Sequence, residues 1–223
     1  MWLQLRLSES FIWQTGLYYG GPGPDAKDNY GFDWDRASHS GALVFTEASW
    51  RYRIGGGDAT LRVGGSYHSG HFENYDAIQA GRTTTIARGL ASFYAIHDLV
   101  LATDAASEPK LGLFGRAGLS PQRDRGVVTA YADAGLNWFA PLPGRPDDVA
   151  GAAVSWTRFG RSFRATRGVA TNETTVELTY KAQLTPRFTL QADAQFLLNP
   201  APNAVSGQHE TAAVLGLRAQ ISF

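Results

Sequence analysis

Two-residue alternation of apolar and polar side chains, held through segments of ten residues or more, limits this chain more than any other feature. The final stretch, "VLGLRAQISF", shows it well. Ala213, Leu215, Leu217, Ala219, Ile221 and Phe223 fall on one side of an extended chain, while Val214, Gly216, Arg218, Gln220 and Ser222 fall on the other. Successive side chains of a strand point to opposite faces, so the segment has one apolar and one mostly polar face. "TVELTYKAQL" and "FTLQADAQFLL" repeat the pattern, as do residues 128–138, where Val128, Ala130, Ala132, Ala134, Leu136 and Trp138 alternate with Thr129, Tyr131, Asp133 and Asn137. Helical periodicity is hard to find. The alternation predicts strands near 2–8, 11–19, 41–54, 58–68, 90–102, 110–119, 126–139, 148–159, 173–184, 187–198 and 210–223. Globular strands average about five or six residues, whereas a tilted strand that crosses a bilayer needs about nine to eleven.

The connections sort into two sets. Counted back from the C-terminus, one set is mostly tight: "TPR" near 185–187, "PLPGRPDD" at 141–148, "DAASEP" near 104–109, "GGG" at 55–57 and "SE" at 8–9. The other is mostly longer and more polar, at 199–209, 160–172, 120–125, 69–89 and 20–40. Short turns on one rim and long loops on the other characterise outer-membrane barrels. Aromatic residues gather near strand ends: Trp13, Tyr19, Trp50, Tyr52, Tyr67, Trp138, Trp156, Phe159, Phe188 and Phe223. Amphipathic rings settle at headgroup depth, so these are expected to form two interfacial girdles. The competing assignment makes them core aromatics of a soluble β domain. Loop sorting and strand length together favour the barrel.

Composition agrees. Charged residues make up 18% of the chain, against about a quarter in soluble domains. Net charge is zero, which points away from nucleic acid. There is no cysteine, hence no thiol catalysis, disulfide or cysteine metal site. No run approaches the roughly 18 apolar residues of a membrane helix, and "MWLQLRLSESF" does not read as a signal peptide. Eleven predicted strands are awkward, because bacterial single-chain barrels have an even number. The expectation is one outer-membrane β-barrel domain over 1–223, truncated at its N-terminus. The alternative is a complete ten-stranded barrel with 2–8 and 11–19 miscounted.

From residue 41 onward the sequence resembles the carbohydrate-selective porin family of OprB type. The resemblance rests on "LVFTEASWRYR", "LRVGGSYHSGHF", "GLASFYAIHDLVL" and "LGLFGRAGLSPQ". It continues through "AYADAGLNWFAPLPGRPDDVAGAAVSW" and "VELTYKAQLTPRFTLQADAQFLLNP" to "AVLGLRAQISF". One departure is "LQADAQF", where the family commonly has a proline after the glutamine. The resemblance implies an all-β, transmembrane, antiparallel up-and-down barrel of about sixteen strands, of which this chain supplies ten to twelve. It also implies passive, sugar-preferring diffusion across the bacterial outer membrane. The implied partners are the lipid bilayer, lipopolysaccharide and mono- or oligosaccharides. A homo-oligomer is an open alternative, although nothing in the sequence marks a subunit face.

If the apolar face meets lipid, the opposite face lines the pore. It carries Glu47, Arg51 and Arg53, then Arg62 and His68, then Asp98, Arg116, Tyr131 and Asp133, then Glu177, Lys181, Gln191, Asp193 and Arg218. Inward charges of both signs are costly unless water or partners accompany them. Carboxylates, amides and arginines can replace the water around sugar hydroxyls, with binding weak enough to permit exit. Arg51, Arg62, Arg116, Glu47, Asp98 and Asp133 are the candidates for a constriction; the alternative makes the same charges ion-pair ladders that hold the wall. Asp25, Asp28, Asp33 and Asp35 lack the spacing of a calcium loop and read as a solvated outer loop. Arg158, Arg161, Arg164 and Arg167 recur every third residue, which on a helix would make one face, but glycines break the run and an exposed loop near anionic headgroups is the simpler account. His68–Ser69 and His97–Asp98 are sequence neighbours on opposite strand faces, so neither pair can act within a triad. No catalytic residue, metal site or cofactor is expected, and a membrane-embedded hydrolase or a plugged structural barrel is the alternative class.

Overall fold

The computed structural model describes residues 1–21, 41–200 and 211–222. Eleven strands follow one another: β1 (Trp2–Arg6), β2 (Phe11–Tyr19), β3 (Ala42–Ile54), β4 (Gly57–Glu73), β5 (Ile86–Thr103), β6 (Pro109–Leu119), β7 (Val128–Phe139), β8 (Val149–Phe159), β9 (Asn172–Thr185), β10 (Phe188–Leu198) and β11 (Ala212–Ile221). They form one antiparallel sheet in chain order, each strand paired with its sequence neighbours. This is the up-and-down, all-β architecture that the alternation predicts, strand for strand. Among the described residues no helix is long and apolar enough to cross a membrane.

Which face is covered decides what kind of sheet this is. Along β7 the apolar Ala132, Ala134, Leu136 and Trp138 are exposed, whereas Tyr131, Asp133, Gly135 and Asn137 are buried or half-buried. β8 and β9 repeat the inversion: Ala152, Val154, Val176 and Leu178 are exposed while Ser155, Thr175 and Glu177 are half-buried. A soluble sandwich buries its apolar face. A contiguous exposed apolar face of this extent belongs against a partner or a membrane. The core-aromatic assignment therefore fails.

The aromatics take up the two levels expected of girdles. Trp13, Trp50, Tyr52, Trp138 and Phe188 lie near the short-turn ends of their strands, and Tyr19, Tyr67 and Trp156 near the long-loop ends. Register places all of them on the apolar face. Phe159 corrects the expectation. It shares a face with Thr157 and Ser155 and is only 8% exposed, because its ring packs 6.2 Å from that of Phe163. Phe223 lies outside the described residues, as do residues 22–40, with the four clustered aspartates, and 201–210, on which most of the loops expected at 20–40 and 199–209 fall.

Two more corrections concern the long-loop rim. β4 runs on to Glu73 and β5 begins at Ile86, past the expected ends, with a register irregularity between His68 and His71. Between them lies the short helix α1 (Tyr75–Gln79), whose Asn74 side chain accepts from the Ala77 N–H as an N-cap. The second is α2 (Arg161–Arg167), which occupies the stretch expected to be a glycine-broken loop. Its glycines cap the helix instead: Gly160 is the N-cap, and Gly168 closes the C-terminus in the left-handed region at φ 69°. The two helices meet through Tyr75 and Phe163, 5.2 Å between ring centres, and through Thr166 Oγ1 donating to the Tyr75 carbonyl at 3.5 Å. Arg167 pairs with Glu73 at 3.0 Å across the same junction. Since Phe159 belongs to the polar face and packs on α2, this small core sits over the polar side of the sheet.

Candidate pore-lining face

Register carries one face across the whole sheet. Gln14 is opposite Glu47, Glu47 opposite Gly64, and Gly64 opposite Tyr94. Tyr94 faces Gly118, which faces Tyr131, which faces Thr157. Ser155 continues to Thr175, Glu177 to Gln195, and Gln191 to Arg218. Counting by twos from these anchors puts Glu47, Arg51, Arg53, Arg62, His68, Asp98, Arg116, Tyr131, Asp133, Glu177, Lys181, Gln191, Asp193 and Arg218 on this one face. The register irregularities fall toward strand ends and leave the mid-wall parity intact.

Three polar groups occupy mid-wall. In the first, Glu47 accepts from Gln14 Nε2 at 3.0 Å, Ser49 Oγ at 3.2 Å and the Tyr94 hydroxyl at 2.9 Å. Tyr94 reaches it by lying across Gly64, where any Cβ would collide with the phenol. In the second, Asp133 accepts from Arg116 Nε at 2.9 Å and from the Tyr131 hydroxyl at 2.5 Å, and a third contact to Arg116 Nη2 measures 2.6 Å. This two-pronged geometry suits guanidinium and carboxylate. The Asp133 side chain is 3% exposed but the Arg116 side chain 50%, so the carboxylate is sealed while the cation keeps its water. In the third, Gln195 Nε2 donates to Glu177 at 2.8 Å.

Toward the short-turn rim, Arg62 pairs with Asp98 at 2.8 Å. Arg51 and Arg53 lie at that rim and are engaged by turns: Arg51 donates to the Glu9 carbonyl at 3.0 Å, Arg53 to the Gly56 carbonyl at 2.7 Å and to Asp58 at 3.3 Å. Lys181, Asp193 and Arg218 have no hydrogen-bond or ion-pair partner among the described residues, and the Asp193 carboxylate lies against Gly216. His68 sits at the long-loop rim, where Nε2 donates to the Gly20 carbonyl at 2.8 Å and Nδ1 accepts from the Gly70 N–H at 3.0 Å. His97 faces the other way and shares a 2.7 Å bond with the Tyr52 hydroxyl, so it is parted from Asp98 by the thickness of the sheet. Among the described residues no cluster of side chains could hold a metal ion.

Sequence reasoning missed Gln14 and, within the turn it placed at "PLPGRPDD", the network around Asp148. Asp148 in that turn is 1% exposed. It accepts from Arg145 Nε at 2.7 Å, the Tyr180 hydroxyl at 2.5 Å and the Gln183 N–H at 2.9 Å. The Arg145 hydrogen bond, helped by Tyr180 and Gln183 against the opposing effect of burial, holds its carboxyl down at about 2. The motif thus clamps the turn between β7 and β8 onto β9. Gln14 was hidden because the polar side of β2 also holds Ile12, Gly16 and Tyr18, which blurs the alternation.

The family described as carbohydrate-selective porin, OprB family, matches residues 1–223. The high-pH structure of Pseudomonas putida OprB superposes with a TM-score of 0.82 at 18% identity, over 100% of this chain and 58% of that one. The low-pH structure of the same protein gives 0.61 at 17% identity, over 100% and 54%. The chain therefore spans rather more than half the length of the porin it matches. No curated protein matches the sequence.

Proposed function

The chain belongs to the carbohydrate-selective porin family, OprB, and on that premise we propose that it forms the wall of an outer-membrane pore for passive, selective diffusion of sugars. The observation that carries this reading is the inverted burial: an exposed apolar face backs a continuous face of carboxylates, amides, hydroxyls and guanidinium groups. Such a face exchanges hydrogen bonds with a sugar's hydroxyls as water does, so passage costs little. The paired Arg116–Asp133 and Arg62–Asp98 set a mixed-sign lining, and Glu47, Glu177 and Lys181 add single charges to it.

The outer face meets the bilayer, and exposed Arg158 near its long-loop end suits the phosphates of lipopolysaccharide. The family supports a channel rather than a hydrolase, and the opposite orientations of His97 and Asp98 agree with that reading. A second reading, a plugged barrel, draws on the α1–α2 pair folded over the polar face. Planar-bilayer recording with glucose and maltose titrated against the current separates the two. Open steps that sugar reduces support the sugar porin; a protein that inserts yet stays silent supports the plug.

A further inference from the structure

One part of the polar face is not polar. Across β1, β2 and β3, Trp2, Gly16 and Phe45 stand in a single row. Two residues further along β2, Tyr18 folds back so that its ring lies over Gly16, in the space a Cβ would take. The Tyr18 and Phe45 rings meet edge to face, 6.3 Å between centres at 79°. Three aromatic side chains thus form a shelf along the wall, with Trp2 59%, Tyr18 47% and Phe45 41% exposed. The adjoining row holds Gln4, Gln14 and Glu47 in register, with Tyr94 lying in across Gly64. Shelf and polar row together border an open groove of about 180 Å³ lined in part by Trp2, Gln14, Tyr18, Phe45, Glu47 and Tyr94.

The chemistry of the polar row is selective. Glu47 is held by three neutral donors, two on Oε1 and one on Oε2, and no guanidinium or ammonium bonds to it among the described residues. A carboxylate has about four lone-pair sites, so Oε2 keeps one for an incoming donor. Gln14 spends one amide N–H on Glu47 and keeps another N–H and its carbonyl oxygen. Rows two residues apart on a strand are separated by roughly 6.5 Å. A ligand that fits has an apolar face to lay on the shelf and, about one ring-width away, hydroxyls that donate to a carboxylate and exchange bonds with an amide. A pyranose has both: its ring C–H groups form an apolar face and its hydroxyls project around the edge. An anionic sugar does not fit, because the one formal charge in the notch is negative and uncompensated.

Resting on the porin reading above, we propose that this notch is a stacking subsite for neutral pyranose rings: Tyr18, flanked by Trp2 and Phe45, supports the ring, and Glu47, braced by Gln14 and Tyr94, orders its hydroxyls. It makes neutral sugars linger at the wall relative to uronates.

The test uses the protein as purified from the outer membrane, recorded in planar bilayers, with the half-blocking concentrations of maltose, glucose and glucuronate as readout. The unaltered protein should be blocked by maltose and glucose at lower concentrations than by glucuronate. Tyr18→Leu should raise the maltose half-blocking concentration by about three- to tenfold, the range of an aromatic contact. Glu47→Gln keeps the shape, so it should raise that of glucose about tenfold while lowering that of glucuronate. Absence of open steps, or steps that no sugar blocks in the unaltered protein, would overturn the porin reading itself. Sugar block with unchanged values in both variants, or equal block by glucose and glucuronate, would overturn the subsite and leave the porin reading standing. Should Tyr18→Leu give no open steps, Glu47→Gln alone decides between these outcomes.

Discussion

The two faces of this sheet obey opposite rules although they share every strand. Adjacent residues show it best. Val154 is 45% exposed on the apolar face, while Ser155 turns to the polar face opposite Asp133 and Thr175. His97 bonds to a girdle tyrosine and Asp98 to Arg62. In a soluble sheet the exposed face tolerates charge and the covered face does not. Here the tolerance is reversed, because the medium beyond the exposed face is hydrocarbon and the covered face meets water and its own polar groups. Exposure alone therefore says nothing about which substitutions are harmful; the medium decides.

The largest expected effect breaks that comparison directly. Val154→Arg places a guanidinium at the middle of β8 on the lipid side, at a cost of about 2–4 kcal/mol. Ser155→Arg, one residue on, should change stability by no more than about 0.5 kcal/mol while narrowing the lumen and lowering single-channel conductance. Urea titration of protein refolded in vesicles reads both. Equal destabilisation by the two would contradict the assignment of faces.

Second in size is the sealed carboxylate. Asp133→Ala leaves the Tyr131 hydroxyl and the Arg116 guanidinium without their shared acceptor. Because Arg116 is half exposed and can turn to water, the loss should be about 1–2 kcal/mol rather than the larger penalty of a buried charge. The same variant should shift the cation-to-anion permeability ratio toward anions. A stability loss without any shift in selectivity would take Asp133 out of the pore lining and leave it a wall strut.

The short-turn rim supplies a prediction in pH. The folded-state pKa of Asp148 is depressed to about 2, below its unfolded value near 3.9. Its contribution is therefore complete above about pH 4 and is lost as pH falls from there through 2. The turn should stay clamped at neutral pH and loosen only in that acid window. Hydrogen exchange at the Gln183 amide, which donates to Asp148, would show it. Asp148→Asn should abolish this part of the acid dependence. Loosening already at pH 6 would mean that another group controls the turn.

How far these features could be read from the sequence follows from the range of each interaction. A strand's face is written in its own next-but-one residues, so the eleven strands and the face carrying Arg116, Asp133 and Glu177 were legible directly. The polar face of β2 was not, since Tyr18 and Ile12 give that side an apolar character, and Gln14 was lost with it. The glycines around α2 were taken for breakers because a cap and a break have the same composition; only the left-handed φ of Gly168 distinguishes them. Two of the three partners of Asp148, Tyr180 and Gln183, lie 32 and 35 residues away. Their meeting depends on the register of β8 with β9, which no local pattern encodes. The aromatic shelf is a case of the same kind: three strands in register create it, and each of them separately looks merely hydrophobic.

The smallest expected effect sharpens the comparison within the polar face itself. Arg53 and Asp58 form an ion pair at the short-turn rim with side chains 73% and 82% exposed. In that setting water screens the pair and two long side chains lose freedom to make it, so Arg53→Gln should change stability by well under 1 kcal/mol. Arg62 pairs with Asp98 further up the wall at 36% and 47% exposure, where fewer waters compete. Arg62→Gln should therefore cost more than its rim counterpart, yet less than Asp133→Ala. Measured together by urea titration in one lipid, the three variants test a gradient from rim to mid-wall. If Arg53→Gln cost as much as Arg62→Gln, the rim would be drier than its exposure indicates, and the loops at that end would have to fold over it. If all three were neutral, the polar face would be solvated throughout, and its charges would act on passing solutes with no part in holding the wall.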